Sequence, residues 1–458
     1  MTNDEIKKFK STYKDKYLKT IVTNESPLNE DEGPCSNPSR RIKYFKMNII
    51  KKKLNLILIT SCVIKVITVF FLHEKNLSDE WFVLFNNFEK LNLYSYYTLK
   101  GLNIPSSYMP PMYFIFIYFN KLLSFNLFNF IYLIYFFQIL LSTISVTIFY
   151  KLCRSFFDEK ISVVGALIFA FFPLLVFSTS LISSATIQVF LYLLFFNYSI
   201  NIIENKKKIN IFLFSIISAS CLLLRGEFLI VFLLSLIFFM LTNKKKIKFA
   251  LITLFITFLI ISPYIIRNYA YSNKILLVNV SGYALWKGNN HLAKVEGYNE
   301  TLHPDFRDKW PDEKKFFNLY KKLNDLKIDL IYESKRDKIF FEEAIINILQ
   351  DKKKYFILYL KKFFSYFFID INSSINNYYN PFHIVPVIVV AFMSLPGIII
   401  SITQKGNKKK YYVLTMMFLL LFLISTFYIL PRYKISIIMF QILFSLFTFD
   451  YIFKKRLK

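Results

Sequence analysis

The chain has little glycine and few acidic residues for its length. Of 458 residues only 9 are glycine, whereas 55% are hydrophobic and 19% are aromatic. A soluble enzyme of this size has a far more polar composition. The composition therefore excludes a soluble enzyme and predicts a membrane protein.

Cysteine and histidine are also scarce, and neither shows a pattern typical of metal ligands. Paired ligand spacing is missing among the four cysteines and the four histidines, which are Cys35, Cys62, Cys153, Cys221, His73, His291, His303 and His383. We expect no disulfide, no structural zinc and no cofactor. A divalent metal is left open but has no support in the sequence.

Basic residues outnumber acidic ones by 58 to 30, which gives a net charge of +28. The lysines form short clusters between apolar runs instead of one basic face, so they indicate membrane topology and not nucleic-acid binding. The expected partners are therefore membrane lipids, with no nucleic acid.

Long apolar runs predict about ten transmembrane helices, because a span needs roughly 20 apolar residues whose backbone bonds are satisfied internally. We place the spans at residues 54–72, 126–150, 161–179, 185–203, 209–224, 228–242, 248–266, 382–402, 411–430 and 435–453. The predicted fold is an all-α, multi-pass membrane bundle.

Every second connection between these spans is basic, which predicts that both termini are cytoplasmic. The basic clusters are Lys51 to Lys53; Lys151, Arg154 and Lys160; Lys206 to Lys208; Lys244 to Lys246; Lys405 and Lys408 to Lys410; and Lys454, Lys455, Arg456 and Lys458. Residues 1–46 are polar and predict a disordered cytoplasmic tail. Met47 opens a basic flank before the first span and is an alternative start.

Two longer connections fall on the predicted outer side, residues 74–125 and 267–381. The first lies within the bundle domain, 47–266, and its run at 110–123 predicts a juxtamembrane helix. The second predicts a small mixed subdomain, because KILLVNVSGYALWKGNN has a strand and turn pattern whereas 312–362 has helical spacing. Residues 382–458 are the C-terminal transmembrane helices.

Eight polar residues at the ends of the spans or in the connections fall on the same predicted outer side. They are Asp79, Glu80, Arg225, Glu227, Arg267, Asn268, Arg432 and Lys434. Charged groups near membrane depth usually face a cavity or each other, so this set predicts an outward-opening pocket for an anion such as a lipid phosphate.

Two other interpretations stay open: the acidic pair caps a helix, and the last two cations snorkel at a span end. Arg225 and Glu227, two apart on a helix, are not expected to pair.

Five short stretches carry a family resemblance. They are Asp79-Glu80; Tyr108-Met109-Pro110-Pro111-Met112-Tyr113; Leu224-Arg225-Gly226-Glu227; Pro263-Tyr264-Ile265-Ile266-Arg267-Asn268-Tyr269, followed by Trp286-Lys287-Gly288-Asn289-Asn290; and Arg432-Tyr433-Lys434-Ile435-Ser436. Their order resembles the membrane glycosyltransferases of the GT-C fold, in the family-39-like group that includes protein O-mannosyltransferases and the aminoarabinose transferase of lipid A. The chain departs from the family at Ala185, where many members carry a glutamate.

The resemblance implies an inverting glycosyltransferase of the inner or plasma membrane. It moves a sugar from a polyprenyl phosphate to a lipid, glycan or protein acceptor at the outer, periplasmic face. Asp79 is then the catalytic base, and Glu80 orients the acceptor or holds a cation. The donor phosphate is bound by Arg267 and Arg432, with Lys434 and Arg225 ranked lower, and the supporting residues are Glu227, Asn268 and Tyr433.

A transporter or flippase, or a polymerase of lipid-linked saccharides, is the alternative. Donor sugar, acceptor and oligomeric state are not indicated.

Overall fold

Helices make up most of the chain in the computed structural model, which describes residues 38–77, 79–99, 102–205, 210–297, 313–373, 375, 378–404 and 408–456. The chain divides into two units, Met1–Lys52 and Lys53–Lys458. In the first unit, residues 1–37 of the predicted tail lie outside the described residues. The tail prediction ends too late, because a helix already begins at Pro38.

The helices are numbered here in chain order. They are α1 (Pro38–Leu72), α2 (Asp79–Leu91), α3 (Pro111–Leu123), α4 (Ile131–Arg154), α5 (Glu159–Phe171), α6 (Pro173–Phe177), α7 (Ala185–Ile203), α8 (Ile211–Leu224), α9 (Phe228–Thr242), α10 (Lys246–Ser272), α11 (Ser281–Gly288), α12 (Glu313–Asn324), α13 (Tyr332–Gln350), α14 (Lys352–Phe367), α15 (Pro381–Thr403), α16 (Lys408–Ser425) and α17 (Ile435–Arg456). Two short strands, β1 (Tyr97–Leu99) and β2 (Leu102–Ile104), pair antiparallel in the first outer connection. A 3-10 turn, Pro431–Lys434, precedes α17.

By length and composition, six helices in the described residues can cross a membrane, and a seventh span results if the bent pair α5 and α6 is counted as one. The predicted number of about ten is therefore too high by that measure. Two of the other predicted spans, α8 and α9, are apolar but have only 14 and 15 residues. The third, α16, begins with three consecutive lysines.

The predicted span at residues 161–179 is broken in the middle. Helix α5 ends at Phe171 and α6 begins at Pro173, with a bend of 50°. Proline has no backbone N–H and clashes with the preceding turn, so a continuous helix cannot pass through this position.

The basic connections meet at one end of the bundle. The Lys409 ammonium donates to the Ser155 carbonyl and to the Glu204 carboxylate. Lys246 and Lys408 also donate to backbone carbonyls of neighbouring connections, at 3.3 and 3.2 Å. Since consecutive long helices alternate in direction, the predicted outer connections lie at the opposite end.

The interior of the bundle is tightly packed. Helices α15 and α17 approach so closely that a Cβ added to Gly397 would lie 1.8 Å from the Phe444 carbonyl oxygen. Lys65, a cation within the first predicted span, is only 1% exposed and therefore faces the bundle interior. Many large apolar side chains of α1 face outward instead, as expected for a helix in contact with lipid.

The predicted mixed fold of the segment at 267–381 is not supported, because its described residues form helices and loops and contain no strand. The stretch predicted as strand and turn contains α11. Its valines favour a strand locally, but a distant carboxylate stabilises the helix start: Asp337 accepts the backbone N–H groups of Gly282 and Tyr283 at 3.0 and 2.9 Å. Such orphan donors need an acceptor, and negative charge is favoured there.

A second, smaller hydrophobic core lies in this helical segment. Its buried residues come from α11, α12 and α13 and include Trp286, which is fully buried. Tyr108 of the first outer connection joins the same core and stacks on Tyr96 with the ring centroids 4.8 Å apart. The two outer connections are therefore packed together.

Candidate active site

The predicted acidic pair stands at the start of a helix that follows the first span. Asp79 is the first residue of α2, and its side chain, like Ser78 before it, lies outside the described residues. Glu80 is half-buried. Its carboxylate acts electrostatically on Lys287 and Arg432, which come from two other parts of the chain. The Glu80 charge opposes the lowering of the Lys287 pKa by burial and contributes to the raised pKa of Arg432, so the three parts of the chain are linked electrostatically.

Arg432 lies in the 3-10 turn before α17 and is solvent-exposed. Within the described part of the chain its guanidinium makes no hydrogen bond and no ion pair. The proline at the start of this turn and the buried Lys434 side chain fix the turn against the bundle. Arg432 is therefore held by its backbone, and no described residue accepts a hydrogen bond from its guanidinium.

Arg225 and Glu227 form an ion pair at 3.9 Å, so the prediction that they do not pair is wrong. The prediction assumed a helix, whereas Arg225 is extended and both residues lie in the turn between α8 and α9. Burial lowers the pKa of Arg225, but the charges of Glu227, Tyr433 and Tyr192 outweigh it and raise the pKa overall. The guanidinium also lies 5.6 Å from the ring centroid of Tyr433, whose hydroxyl donates to Tyr428 at 3.0 Å.

The Lys434 side chain points into the protein, whereas the Arg432 side chain is exposed to solvent. Its ammonium lies 3.2 Å from a carboxylate oxygen of Glu296, and both side chains are almost fully buried. The Tyr379 hydroxyl donates to the other oxygen of the same carboxylate. These contacts join the second outer connection to the start of α17, so Lys434 has a structural role.

Arg267, ranked first with Arg432 for phosphate binding, is occupied by the protein itself. Its guanidinium donates to the carbonyl oxygens of Ser106 and Tyr94 at 2.6 and 2.8 Å, and to the Asn268 side chain at 2.9 Å. Asn268 in turn donates to the Leu276 carbonyl at 3.0 Å. These contacts fasten the first outer connection to the end of α10.

A buried glutamate completes this anchor. Glu333, at the start of α13, accepts the Ser107 backbone N–H at 2.9 Å and the Ser106 hydroxyl at 3.3 Å. Burial raises the pKa of Glu333 to about 7, although these hydrogen bonds and Arg336 oppose the rise. We name the group of Arg267, Asn268, Ser106 and Glu333 the anchor cluster, and the group of Glu80, Lys287 and Arg432 the cation cluster.

Neither Lys287 nor Glu296 had a role predicted from the sequence. Lys287 lies in a motif that carried the resemblance, but the apolar residues around it gave no indication of a functional role. Glu296 had no local signal, since its partner Lys434 is 138 residues away.

Ala185, at the predicted departure from the family pattern, is buried at 7% exposure. A different carboxylate lies close by, since Glu74 accepts the Ile182 backbone N–H at 2.9 Å. Among the described residues no three or more His, Cys, Asp or Glu side chains are grouped as metal ligands. The expectation that no cofactor is needed stays a prediction.

Comparisons with known proteins agree with the architecture. Residues 109–266 match the family model described as dolichyl-phosphate-mannose-protein mannosyltransferase. No curated protein matches the chain significantly.

Among solved structures, the archaeal oligosaccharyltransferase AglB of Archaeoglobus fulgidus, in complex with an inhibitory peptide and a dolichol-phosphate, is similar at 13% identity and a TM-score of 0.51. The similarity covers 88% of this chain and 50% of that one. An A. fulgidus oligosaccharyltransferase in complex with Zn and sulfate has a TM-score of 0.49 at 13% identity, over 87% of this chain and 49% of that one. The chain spans about half the length of these solved proteins.

The predicted resemblance is therefore confirmed at the level of fold: the chain has a GT-C glycosyltransferase architecture, and its residues 109–266 are similar to the dolichyl-phosphate-mannose-protein mannosyltransferases.

Proposed function

We propose that this protein is a membrane glycosyltransferase that moves a sugar from a polyprenyl-phosphate donor to an acceptor, with inversion, at the outer face of the membrane. The observation that carries the proposal is the grouping of Arg225, Glu227 and Tyr433 beside Arg432: Arg225 pairs with Glu227 at 3.9 Å, and its guanidinium lies 5.6 Å from the ring centroid of Tyr433, the neighbour of Arg432 in sequence. The mannosyltransferase match over residues 109–266 supports the donor class.

The reaction needs a base and a site for the leaving phosphate. A neutral hydroxyl attacks the anomeric carbon poorly, so a carboxylate takes its proton as the new C–O bond forms and the bond to phosphate breaks. Asp79 stays our choice for this base, since it begins α2 directly beside Glu80. Glu80 orients the acceptor and balances the cations.

Charge grows on the phosphate as the glycosidic bond breaks, and fixed cations stabilise that charge in the transition state. Arg432 is the best placed of the predicted cations, because the described residues leave its guanidinium without a partner. Arg225 lies close to Tyr433, next to Arg432 in sequence, and ranks second. Arg267 and Lys434 support the site indirectly, because they hold the two outer connections in place.

The proposal is tested by incubating purified protein with a panel of polyprenyl-phosphate sugars and a mixture of lipid, glycan and peptide acceptors. We expect transfer by the wild type, and we expect Asp79→Asn to slow turnover by about 10²- to 10⁴-fold, the range of general-base catalysis. Glu89→Gln is the matched control, because Glu89 lies on the same helix and is exposed. A folded Asp79→Asn variant that transfers sugar as fast as the wild type would remove the base from the proposal.

A further inference from the structure

Helix α14 belongs to the connection that was predicted to lie outside the membrane, yet one of its faces is apolar and uncovered. Phe356, Ile357, Leu360 and Phe364 are between 37% and 61% exposed. Residues three and four apart share one side of a helix, so these side chains form a continuous apolar face. A contiguous apolar patch on a surface marks contact with another molecule or with lipid. The face therefore needs a partner that the described chain does not supply.

The opposite face of α14 packs against the bundle. The Tyr359 hydroxyl donates to the Phe422 carbonyl near the end of α16 at 3.4 Å, and the ring centroids of Phe363 and Phe422 lie 5.0 Å apart. The Tyr366 hydroxyl donates to the Tyr433 carbonyl, just before α17, at 2.8 Å. Helix α14 is thus held beside two helices of the bundle.

The end of α14 reaches below the outer ends of the neighbouring helices. The Phe367 carbonyl accepts a side-chain N–H of Gln441, in the second turn of α17, at 2.8 Å. The ring centroid of Phe368 lies 5.1 Å from that of Phe392, near the middle of α15. Phe392 is exposed on the side of α15 that faces away from the bundle. Since α15 and α17 are long and apolar enough to span a membrane, these contacts place the end of α14 within the apolar layer.

The contact with Gln441 is the one that such a position requires. Gln441 is a buried polar side chain on a largely apolar helix. Carbonyl groups at a helix end have no partner in the helix, and in lipid they are costly unless the protein supplies a donor. Gln441 supplies that donor to Phe367, whereas at a helix end in water the solvent would satisfy the carbonyl.

The charges of α14 also fit a helix that enters a membrane from outside. Its first residues, Lys352–Lys354, are exposed lysines, and the stretch YFILYL that follows carries no charge. Of the two later lysines, Lys361 is exposed and has a chain long enough to extend toward headgroups. Lys362 is turned inward, where its ammonium donates to the Gly288 carbonyl at 2.6 Å. The start of the helix therefore suits headgroup phosphates, and its exposed apolar face suits acyl chains.

We propose that α14 enters the outer leaflet of the membrane, with Phe356, Ile357, Leu360 and Phe364 against phospholipid acyl chains and Lys352–Lys354 at the headgroup phosphates. The inference goes beyond the proposed function and does not depend on it. Contact between the end of α14 and the exposed side of α15 makes the apolar face continuous with a span surface, which favours lipid over a protein partner. Through Tyr366, this helix also joins the surrounding lipid to the turn that carries Arg432.

The test attaches a nitroxide spin label to single cysteines in a background without the native cysteines, with the full chain in bilayer nanodiscs of phosphatidylethanolamine and phosphatidylglycerol. Collisions with oxygen report lipid, and collisions with a water-soluble nickel chelate report water. We expect the labels of the Leu360→Cys and Phe364→Cys variants to collide with oxygen and not with the chelate, as for Val389→Cys on the exposed side of α15. Phe317→Cys is the matched control, because Phe317 on α12 is 61% exposed, as Phe356 is, and its label should collide freely with the chelate.

Three results are decisive. Labels at 360 and 364 that collide with the chelate as often as the label at 317 overturn the inference, because α14 would then face water. Labels shielded from both reagents also overturn it, because a protein partner or a second copy of this chain would then cover the face. If these two variants do not fold, the labels of Phe356→Cys and Ile357→Cys, on the same face, decide by the same criterion. None of these results changes the proposed function, which is tested by sugar transfer.

Discussion

Arg267 and Arg432 were predicted for the same task from the same kind of signal, yet the structure places them in different situations. The Arg267 guanidinium donates to two backbone carbonyls and one side chain in the anchor cluster. Arg432 is exposed in the cation cluster and acts on Glu80 without a hydrogen bond to any described residue. An arginine at the outer end of a span is therefore not evidence of ligand binding until its donors are accounted for.

The comparison extends to the two lysines. Lys434 forms an ion pair with Glu296 inside the protein, whereas the Lys287 ammonium lies over the rings of Tyr283 and Tyr428. The same type of cation can stabilise the fold or bind a ligand. Which role it has depends on whether the protein itself supplies the partner of the charged group. Substitutions that affect either stability or donor binding, but not both, test this distinction.

The largest effect is expected at Arg432. The Arg432→Met substitution removes a fixed cation from the proposed site of the leaving phosphate. The value of kcat/KM for the donor should therefore fall by about 10²- to 10³-fold. The unfolding temperature should stay at the wild-type value, because the described structure gives this guanidinium no bond to lose. Both quantities are measured on the same purified sample. A stability loss without a change in donor kinetics would contradict the comparison.

A smaller effect of a different kind is expected at Arg267. Arg267→Met leaves the carbonyls of Tyr94 and Ser106 without their donor, and the free energy of unfolding should fall by about 2 to 4 kcal/mol. Denaturant unfolding in detergent measures the loss, and donor affinity of the folded protein should not change.

Arg267→Lys is the matched control for that experiment. It keeps the charge but not the planar fork that reaches both carbonyls, so stability should not be restored. Full restoration by lysine would mean that Arg267 acts through its charge, as Arg432 does, and the contrast between the two arginines would disappear.

Much of the fold was predictable because hydropathy and lysine clusters are direct consequences of burial in a bilayer. The span at 185–203 coincides with α7, and the juxtamembrane helix coincides with α3 to within one residue. Tertiary contacts caused the errors. The start of α11 depends on Asp337, which is 55 residues from Gly282, so no local pattern could have indicated a helix there.

The candidate site was predicted as a set of residue types at one end of the bundle, and not as an arrangement. Sequence can indicate that Arg225, Arg267 and Arg432 share a side of the membrane, but the hydrogen-bond partners of each depend on how the outer connections fold. The same reason explains the omission of Lys287, whose environment is built by the distant residues Glu80, Lys362 and Tyr428.

The central claim is that the cation cluster faces the outside of the cell. It is tested most directly by attaching a membrane-impermeant maleimide to Arg432→Cys and Lys408→Cys variants in a background without the native cysteines. We predict that the residue 432 variant is labelled in intact cells, whereas the residue 408 variant is labelled only after permeabilisation. Labelling of both variants from the same side would contradict the account.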